Sequence, residues 1–184
     1  MTADRPIWAR ETAALALVST DLHEQRATAY PALVAAGKLP AAAAEVALRA
    51  AAAIAHDWRR RAGQAAGEPA HATRAERIAT LEQAVAGQAR RVAKARAAVT
   101  RDSLARLCAY ADLPEIDRAR LADDFAEAGL ISDPAVRPWL YASEYAALID
   151  TLLWWERQPL SFDALAQLTA ALRAAPSPRF AAAA

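Results

Sequence analysis

The chain has 184 residues, and its 22 lysine and arginine residues nearly balance its 21 aspartate and glutamate residues, giving a net charge of +1. This length fits one domain. The single cysteine excludes a disulfide within the chain, no stretch approaches the ~20 apolar residues of a membrane span, and the N-terminus lacks the apolar segment of a signal peptide, so we expect a cytoplasmic protein with no membrane partner.

The composition predicts an all-α fold. The chain contains 55 alanines but only seven valines, six isoleucines and no asparagine. Alanine is the best helix former, whereas sheets draw on β-branched residues and tight hairpins often use Asn-Gly. We therefore expect a helix content well above the typical third, with closely packed helices around a thin core. The twenty arginines against two lysines are typical of a GC-rich genome, which favours a bacterial source.

Residues 1–61 predict an Ala-rich antiparallel helical hairpin. Apolar residues at a three-to-four spacing predict a first helix over about Trp8–Ala36, with a bend or break near Pro31. A glycine and a proline then end this helix and begin the next, which is predicted over about Pro40–Arg61. A connection this short favours antiparallel neighbours.

The same hairpin would bring histidines and carboxylates of its two antiparallel helices opposite one another. The weak metal candidates are His23, His56, Asp21 and Asp57, with Glu24 beside them. Imidazoles and carboxylates suit zinc or a general base, whereas the alternative is an exposed polar edge on which Asp57 pairs with an arginine one turn later. No zinc-protease or di-iron motif is complete. We therefore expect no cofactor, no metal and no catalytic residue, and a metal-dependent enzyme is the remotest hypothesis.

Residues 62–72 predict a linker, because they hold two glycines, a proline and no large apolar side chain. A helical domain is predicted over residues 73–175, followed by a disordered tail over residues 176–184. Thr73 and Glu76 have capping-box spacing at the start of a long helix that could extend to Ala111, although Thr100, Asp102 and Ser103 offer a restart. Further helices are predicted over about Pro114–Ala128, Leu140–Arg157 and Phe162–Ala174.

The long helix carries apolar residues at heptad spacing. The positions are Ile78, Leu81, Val85, Val92, Ala95 and Val99. Apolar residues repeated every three and four positions, with β-branched residues at one of them, are typical of the seam of a two-stranded coiled coil. This seam is one candidate interface for assembly with another chain.

Charge is unevenly distributed along the chain. Residues 59–106 hold eleven basic and four acidic residues, whereas residues 112–184 hold six basic and eleven acidic ones. The candidates for nucleic-acid contact are Arg59, Arg60, Arg61, Arg90, Arg91, Lys94, Arg96 and Arg101. The alternatives are a solvated helix flank, or pairing with the acidic C-terminal third. Residues 103–130 fail as a helix-turn-helix, because an acidic recognition helix would be repelled by phosphates.

The most aromatic segment lies near the C-terminal end. Its candidate interface residues are Trp139, Tyr141, Tyr145, Trp154 and Trp155. A helix that is apolar over so much of its circumference either anchors a core or lies in an interface.

Together these patterns favour a non-enzymatic helical interaction or assembly protein that forms oligomers. The alternative is a nucleic-acid-associated accessory protein, for example of a phage or mobile element, that uses the basic residues 59–106.

Overall fold

The computed structural model describes residues 5–68, 70–105, 134 and 136–158. Within these residues the secondary structure is helical without a strand, which confirms the predicted all-α class. A short 3-10 helix, Ile7–Arg10, precedes four α-helices, which are α1 (Thr12–Ala35), α2 (Ala41–Arg61), α3 (Arg74–Ala97) and α4 (Val136–Arg157). In this described part of the chain, no helix has the length and apolar character needed to cross a membrane.

Several predicted features lie outside the described residues. They are Cys108, the helices predicted over Pro114–Ala128 and Phe162–Ala174, most of the rejected helix-turn-helix segment, and the tail over residues 176–184.

Helix α1 begins later than predicted and does not break at its proline. Trp8 lies in the 3-10 helix, and α1 starts at Thr12. Pro31 lies inside α1, one turn before its end, and the helix continues to Ala35. The chain then turns at Gly37, which has a positive φ of 68°. The amide of Lys38 donates to the carbonyl of Leu33 at 2.9 Å, a bond that satisfies the last turn of the helix.

Helix α3 begins as the sequence predicts. The Glu76 amide donates to Thr73 Oγ1 at 3.2 Å, and the Thr73 amide donates to Glu76 Oε2 at 2.7 Å, so the capping box is confirmed. The helix ends at Ala97 and does not continue to Ala111. Residues 101–105 are again helical, and the Ser103 amide donates to Thr100 Oγ1 at 3.1 Å, which is a new N-terminal cap.

The helices pack as two pairs, α1 with α2 and α3 with α4, and the pairs join where α2 meets α3 and where α1 meets α4. Helices α3 and α4 run in opposite directions. Arg74 at the start of α3 donates to the carbonyl of Glu156 in the last turn of α4 and to the carbonyl of Gln158 just beyond it, both at 2.8 Å. Near the end of α3, the Arg96 guanidinium lies 5.4 Å from the ring centre of Trp139 at the start of α4.

A single core draws on all four α-helices. Its buried members are Leu15, Ala16, Val18, Leu22, Ile54, Trp58, Leu81, Ala84, Tyr145, Ile149, Leu152 and Leu153. Trp58 of α2 contacts Trp155 of α4 with ring centres 6.4 Å apart. The indole of Trp155 also donates to the carbonyl of Ala9 at 3.3 Å, which ties the 3-10 helix to α4.

One ionic cluster joins three helices at the edge of this core. Arg77 of α3 donates to Asp57 of α2 at 2.6 Å and also to Glu156 of α4. Burial alone would raise the pKa of Asp57, but the hydrogen bond and charge of Arg77, assisted by His56 and Arg61, lower it below its ordinary value. The cluster is therefore held in its charged form at neutral pH.

Candidate functional site

A groove of about 550 Å³ separates α1 from α4 on the surface of the described helices. Its lining consists of Ala14, Leu17, Val18, Thr20, Asp21 and Glu24 on α1, and Tyr141, Glu144, Tyr145 and Leu148 on α4. Volumes of about 300–1,000 Å³ are typical of ligand pockets. The groove is therefore large enough to receive one or two large side chains of a partner.

The two walls arise from helical periodicity. On α1, Leu17, Asp21 and Glu24 follow one another at spacings of four and three residues, and therefore share a face. On α4, Tyr141, Tyr145 and Leu148 have the same spacing. Helix α1 thus presents two apolar faces, one toward the core and one, through Leu17, toward the groove. The apolar stripe predicted from the sequence follows the first face and does not include Leu17.

Large apolar side chains are exposed on both walls of the groove. Leu17 of α1 is 73% exposed and Tyr141 of α4 is 68% exposed. Isolated exposed apolar residues are ordinary, but a contiguous apolar surface with a polar rim is typical of interaction sites. The floor of the groove differs from these exposed walls, because its residues Val18 and Tyr145 are buried.

The charged residues that line the groove are all acidic, namely Asp21, Glu24 and Glu144. Burial raises the pKa of the Tyr145 hydroxyl, and its hydrogen bond to Asp21 and the negative charge of Asp21 raise it further. Tyr145 is therefore neutral at physiological pH, and its hydroxyl forms a hydrogen bond with the Asp21 carboxylate. The groove offers an apolar floor with negative potential along its rim.

The predicted interface residues are partly or fully buried, except for Tyr141. Leu81, Val99 and Tyr145 are buried, whereas Ile78, Val85, Val92, Trp139, Trp154 and Trp155 are half-buried. Part of the heptad seam packs on α4 of the same chain, because Leu81 belongs to the shared core and Ile78 and Val85 pack against it. Tyr141 differs from the other aromatic candidates, since it is exposed and lines the groove.

The predicted basic residues divide into two groups. Arg59 donates to the carbonyl of Ala66 at 3.1 Å, Arg61 lies 4.8 Å from the ring centre of Trp58, and Arg96 stacks on Trp139. These three support the fold. The other group consists of exposed side chains, namely Arg60, Arg90, Arg91, Lys94 and Arg101.

The weak metal candidates on the first helix pair do not form a cluster in the described part of the chain. Among the described residues, no three His, Cys, Asp or Glu side chains come close enough to hold a metal ion. The carboxylates are directed elsewhere. Asp57 binds Arg77 and lies 3.3 Å from the ring of His56, whereas Asp21 accepts from Gln25 at 2.6 Å. His23 is half-buried on α1.

No family model, curated protein or solved structure matches this chain.

Proposed function

We propose that the chain is a non-enzymatic interaction protein that binds a positively charged, amphipathic helical segment of a partner protein in the groove between α1 and α4. The observation that carries the proposal is the pairing of exposed Leu17 and Tyr141 with a rim that is acidic throughout.

The chemistry of the groove defines its occupant. An amphipathic helix that lies in a hydrophobic groove places side chains at spacings of three and four residues into it. Burial of one leucine-sized side chain contributes about 1.5–3 kcal/mol. Lysine or arginine residues that flank this anchor would meet Asp21, Glu24 and Glu144, which favours fast and specific association with basic partners.

The test is a titration with defined peptides. A fluorescently labelled amphipathic peptide of leucine and lysine is compared, by anisotropy, with a peptide of the same pattern in which glutamate replaces lysine. We expect binding of the lysine peptide that weakens as salt increases, and no saturable binding of the glutamate peptide. Leu17→Ser should reduce the affinity for the lysine peptide about tenfold or more, because this factor corresponds to about 1.4 kcal/mol.

The control for this variant is Ile7→Ser. Ile7 is 86% exposed but does not line the groove, so its replacement removes a similar apolar surface from another site. Equal effects of Leu17→Ser and Ile7→Ser, or equal binding of the two peptides, would contradict the proposal.

We extend the proposal to oligomers, as the heptad and aromatic patterns predict. The exposed part of α3 and the exposed Tyr141 of α4 are the surfaces open to a second copy. Multi-angle light scattering should then give a mass above the 19.6 kDa of one chain. A monomer at all concentrations would contradict this extension, while the peptide titration would still test the groove.

Nucleic-acid association is the second candidate, favoured by the exposed basic side chains of Arg90, Lys94 and Arg101. The position of Arg91 counts against nucleic-acid association. Arg91 lines a depression together with Asp21 and Glu24, and the negative charges of these carboxylates repel phosphate. If the candidate is right, binding to duplex DNA should fall steeply as salt increases, and Arg90→Gln should reduce that dependence. Absence of duplex binding at low salt would exclude it.

A further inference from the structure

A second, smaller cavity of about 180 Å³ lies between α1 and α3. Its lining consists of Leu22, Gln25, Arg26, Ala29 and Tyr30 on α1, and Ala84, Gly87, Gln88 and Arg91 on α3. It is distinct from the groove between α1 and α4, with which it shares no lining residue. Its polar lining groups are guanidinium, amide and phenol groups, and no carboxylate lines it. Asp21 and Glu24 lie in the neighbouring depression, which shares Gln25 and Arg91 with this cavity.

Arg26 is the unusual member of this lining. The residue is only 7% exposed, and its Nη2 donates to the carbonyl of Thr80 at 2.8 Å. Its Nη1 is buried and has no hydrogen-bond partner. Within the described part of the chain, no carboxylate forms an ion pair with Arg26. Burial lowers the pKa of the guanidinium, although the charges of Tyr30 and Tyr145 and a side-chain hydrogen bond with Tyr30 oppose that shift. The guanidinium also lies 5.9 Å from the ring centre of Tyr30.

A buried cation with an unsatisfied donor is costly. An unpaired buried charge destabilises a fold by several kcal/mol, and an unsatisfied buried polar group calls for a bound water or ion as its explanation. A methionine at this position would fill similar space with no such cost. The arginine is therefore best explained by a group that occupies the cavity and supplies the missing acceptor.

The remaining lining groups suit an anion. Gln88 is 6% exposed, and its side-chain amide belongs to the lining of the cavity. Arg91 is exposed beside the cavity, where its guanidinium lies 3.5 Å from Gln25 Oε1. A Cβ added to Gly87 would contact nothing within 4 Å, so a ligand can approach the backbone of α3. Guanidinium groups and amides together recognise carboxylate and phosphate oxygens.

We propose that the cavity between α1 and α3 is a binding site for a small oxyanion, a carboxylate or a phosphate, which accepts hydrogen bonds from Arg26 and Gln88 and is screened from solvent by Arg91. This site is independent of the proposed partner groove.

The test measures thermal stability and binding heat with acetate, inorganic phosphate and chloride at matched ionic strength. A ligand that binds only the folded state, at a concentration about ten times its dissociation constant, should raise the unfolding temperature of a domain of this size by about 3–5 °C. We expect a saturable increase with acetate or phosphate but not with chloride. Whichever of the two gives the tighter binding identifies the class of oxyanion.

Arg26→Met should abolish the anion-dependent increase and should be at least as stable as the wild type in chloride, because it removes a buried unpaired charge. Arg90→Met is the matched control, since Arg90 is exposed on α3 but does not line the cavity, and it should retain the full increase. A general salting effect of phosphate would instead raise the unfolding temperature of all three proteins equally, which would overturn the proposal.

Gly87→Met provides a test that leaves Arg26 intact. The methionine has space at its Cβ and a higher helix propensity than glycine, so this variant should fold. Its side chain should occupy the cavity and prevent the increase with acetate or phosphate. A full increase in Gly87→Met, or no saturable response of the wild type to either oxyanion, would overturn the proposal.

Discussion

Arg77 is the residue on which the charged contacts between the helix pairs converge. It binds Asp57 of α2 and Glu156 of α4, and the three side chains are largely buried. When a buried cation is removed, its anionic partners remain desolvated without compensation. The arrangement therefore links three helices at a point where single substitutions should have large effects.

We expect Arg77→Met to lower the free energy of unfolding by about 3 kcal/mol, because two buried carboxylates lose their partner. Urea denaturation followed by circular dichroism measures this change. Arg157→Met is the control, since the pair of Arg157 with Glu82 at 2.7 Å is about half exposed and should contribute no more than about 1 kcal/mol. Similar effects of the two substitutions would contradict the role given to Arg77.

Asp57 should make stability depend on pH in the acidic range. Its pKa is lowered in the folded state, so its charged form stabilises the fold at pH values above the ordinary aspartate pKa of about 3.9. That contribution is lost as the pH falls through the lower, folded pKa. The difference in unfolding free energy between wild type and Asp57→Asn should therefore be constant above about pH 5 and shrink below about pH 4. A difference that does not change with pH would show that Asp57 does not titrate in this way.

At the residue scale, the sequence indicated candidate ligands but not their partners. Pairing of Asp57 with Arg61, one turn away, was one alternative, and the charge of Arg61 does help to lower the pKa of Asp57. The hydrogen bond from Arg77, twenty positions along the chain, was not predicted. Arg26 follows Leu22 by four residues, so a charge within the apolar stripe of α1 was visible before the structure. Its significance was missed, because periodicity does not show which polar groups stay without an acceptor.

At the scale of one element, α3 shows which features of a helix local sequence patterns can predict. Its start was predictable, because the capping box depends on two residues three positions apart. Its end was indicated only as an alternative, through the restart that Thr100 and Ser103 offer, because no glycine or proline occurs near Ala97. The heptad spacing identified an apolar face, but such spacing is satisfied equally by another chain or by α4. Contacts with α4 cover Leu81 and its neighbours here.

Removal of the cap tests the start of α3. Thr73→Ala loses the acceptor of the Glu76 amide, and we expect it to reduce the free energy of unfolding by about 1 kcal/mol. Thr28→Ala is a suitable comparison, because Thr28 is an exposed threonine in the middle of α1 whose hydroxyl bonds only the Glu24 carbonyl of its own helix. This substitution should be neutral or slightly stabilising. If Thr73→Ala lowers the free energy of unfolding by no more than Thr28→Ala does, the capping box contributes little to stability.

The whole molecule has one core in its described part, although the sequence predicted a linker between residues 1–61 and the helices that follow. Core residues from α1 and α2 contact core residues from α3 and α4 within one cluster. The composition around residues 62–72 indicates a connection without large apolar residues, but it does not show whether the flanking helices pack together. Long-range contacts decide that question, and they lie beyond the reach of local sequence patterns.

We expect the helix pairs to unfold together. Leu81→Ala on α3 creates a cavity at a fully buried site and should destabilise the chain by about 3 kcal/mol. The transition should shift as one step, with tryptophan fluorescence and circular dichroism coinciding. Two separate transitions, of which Leu81→Ala shifts only the one that belongs to α3 and α4, would show that the pairs fold independently.

The tryptophan cluster gives the molecule an internal optical reporter. Trp58 on α2 lies beside Trp155 on α4, and Trp154 lies edge-on to Trp155 with ring centres 4.9 Å apart. Close, fixed indole rings produce strong near-ultraviolet circular dichroism, which disappears when their mutual orientation is lost even if the helices persist. Because the cluster spans both helix pairs, its signal reports their docking without any attached dye. Spectroscopy of the unlabelled chain can therefore follow whether partner or anion binding loosens or tightens the contact between the pairs.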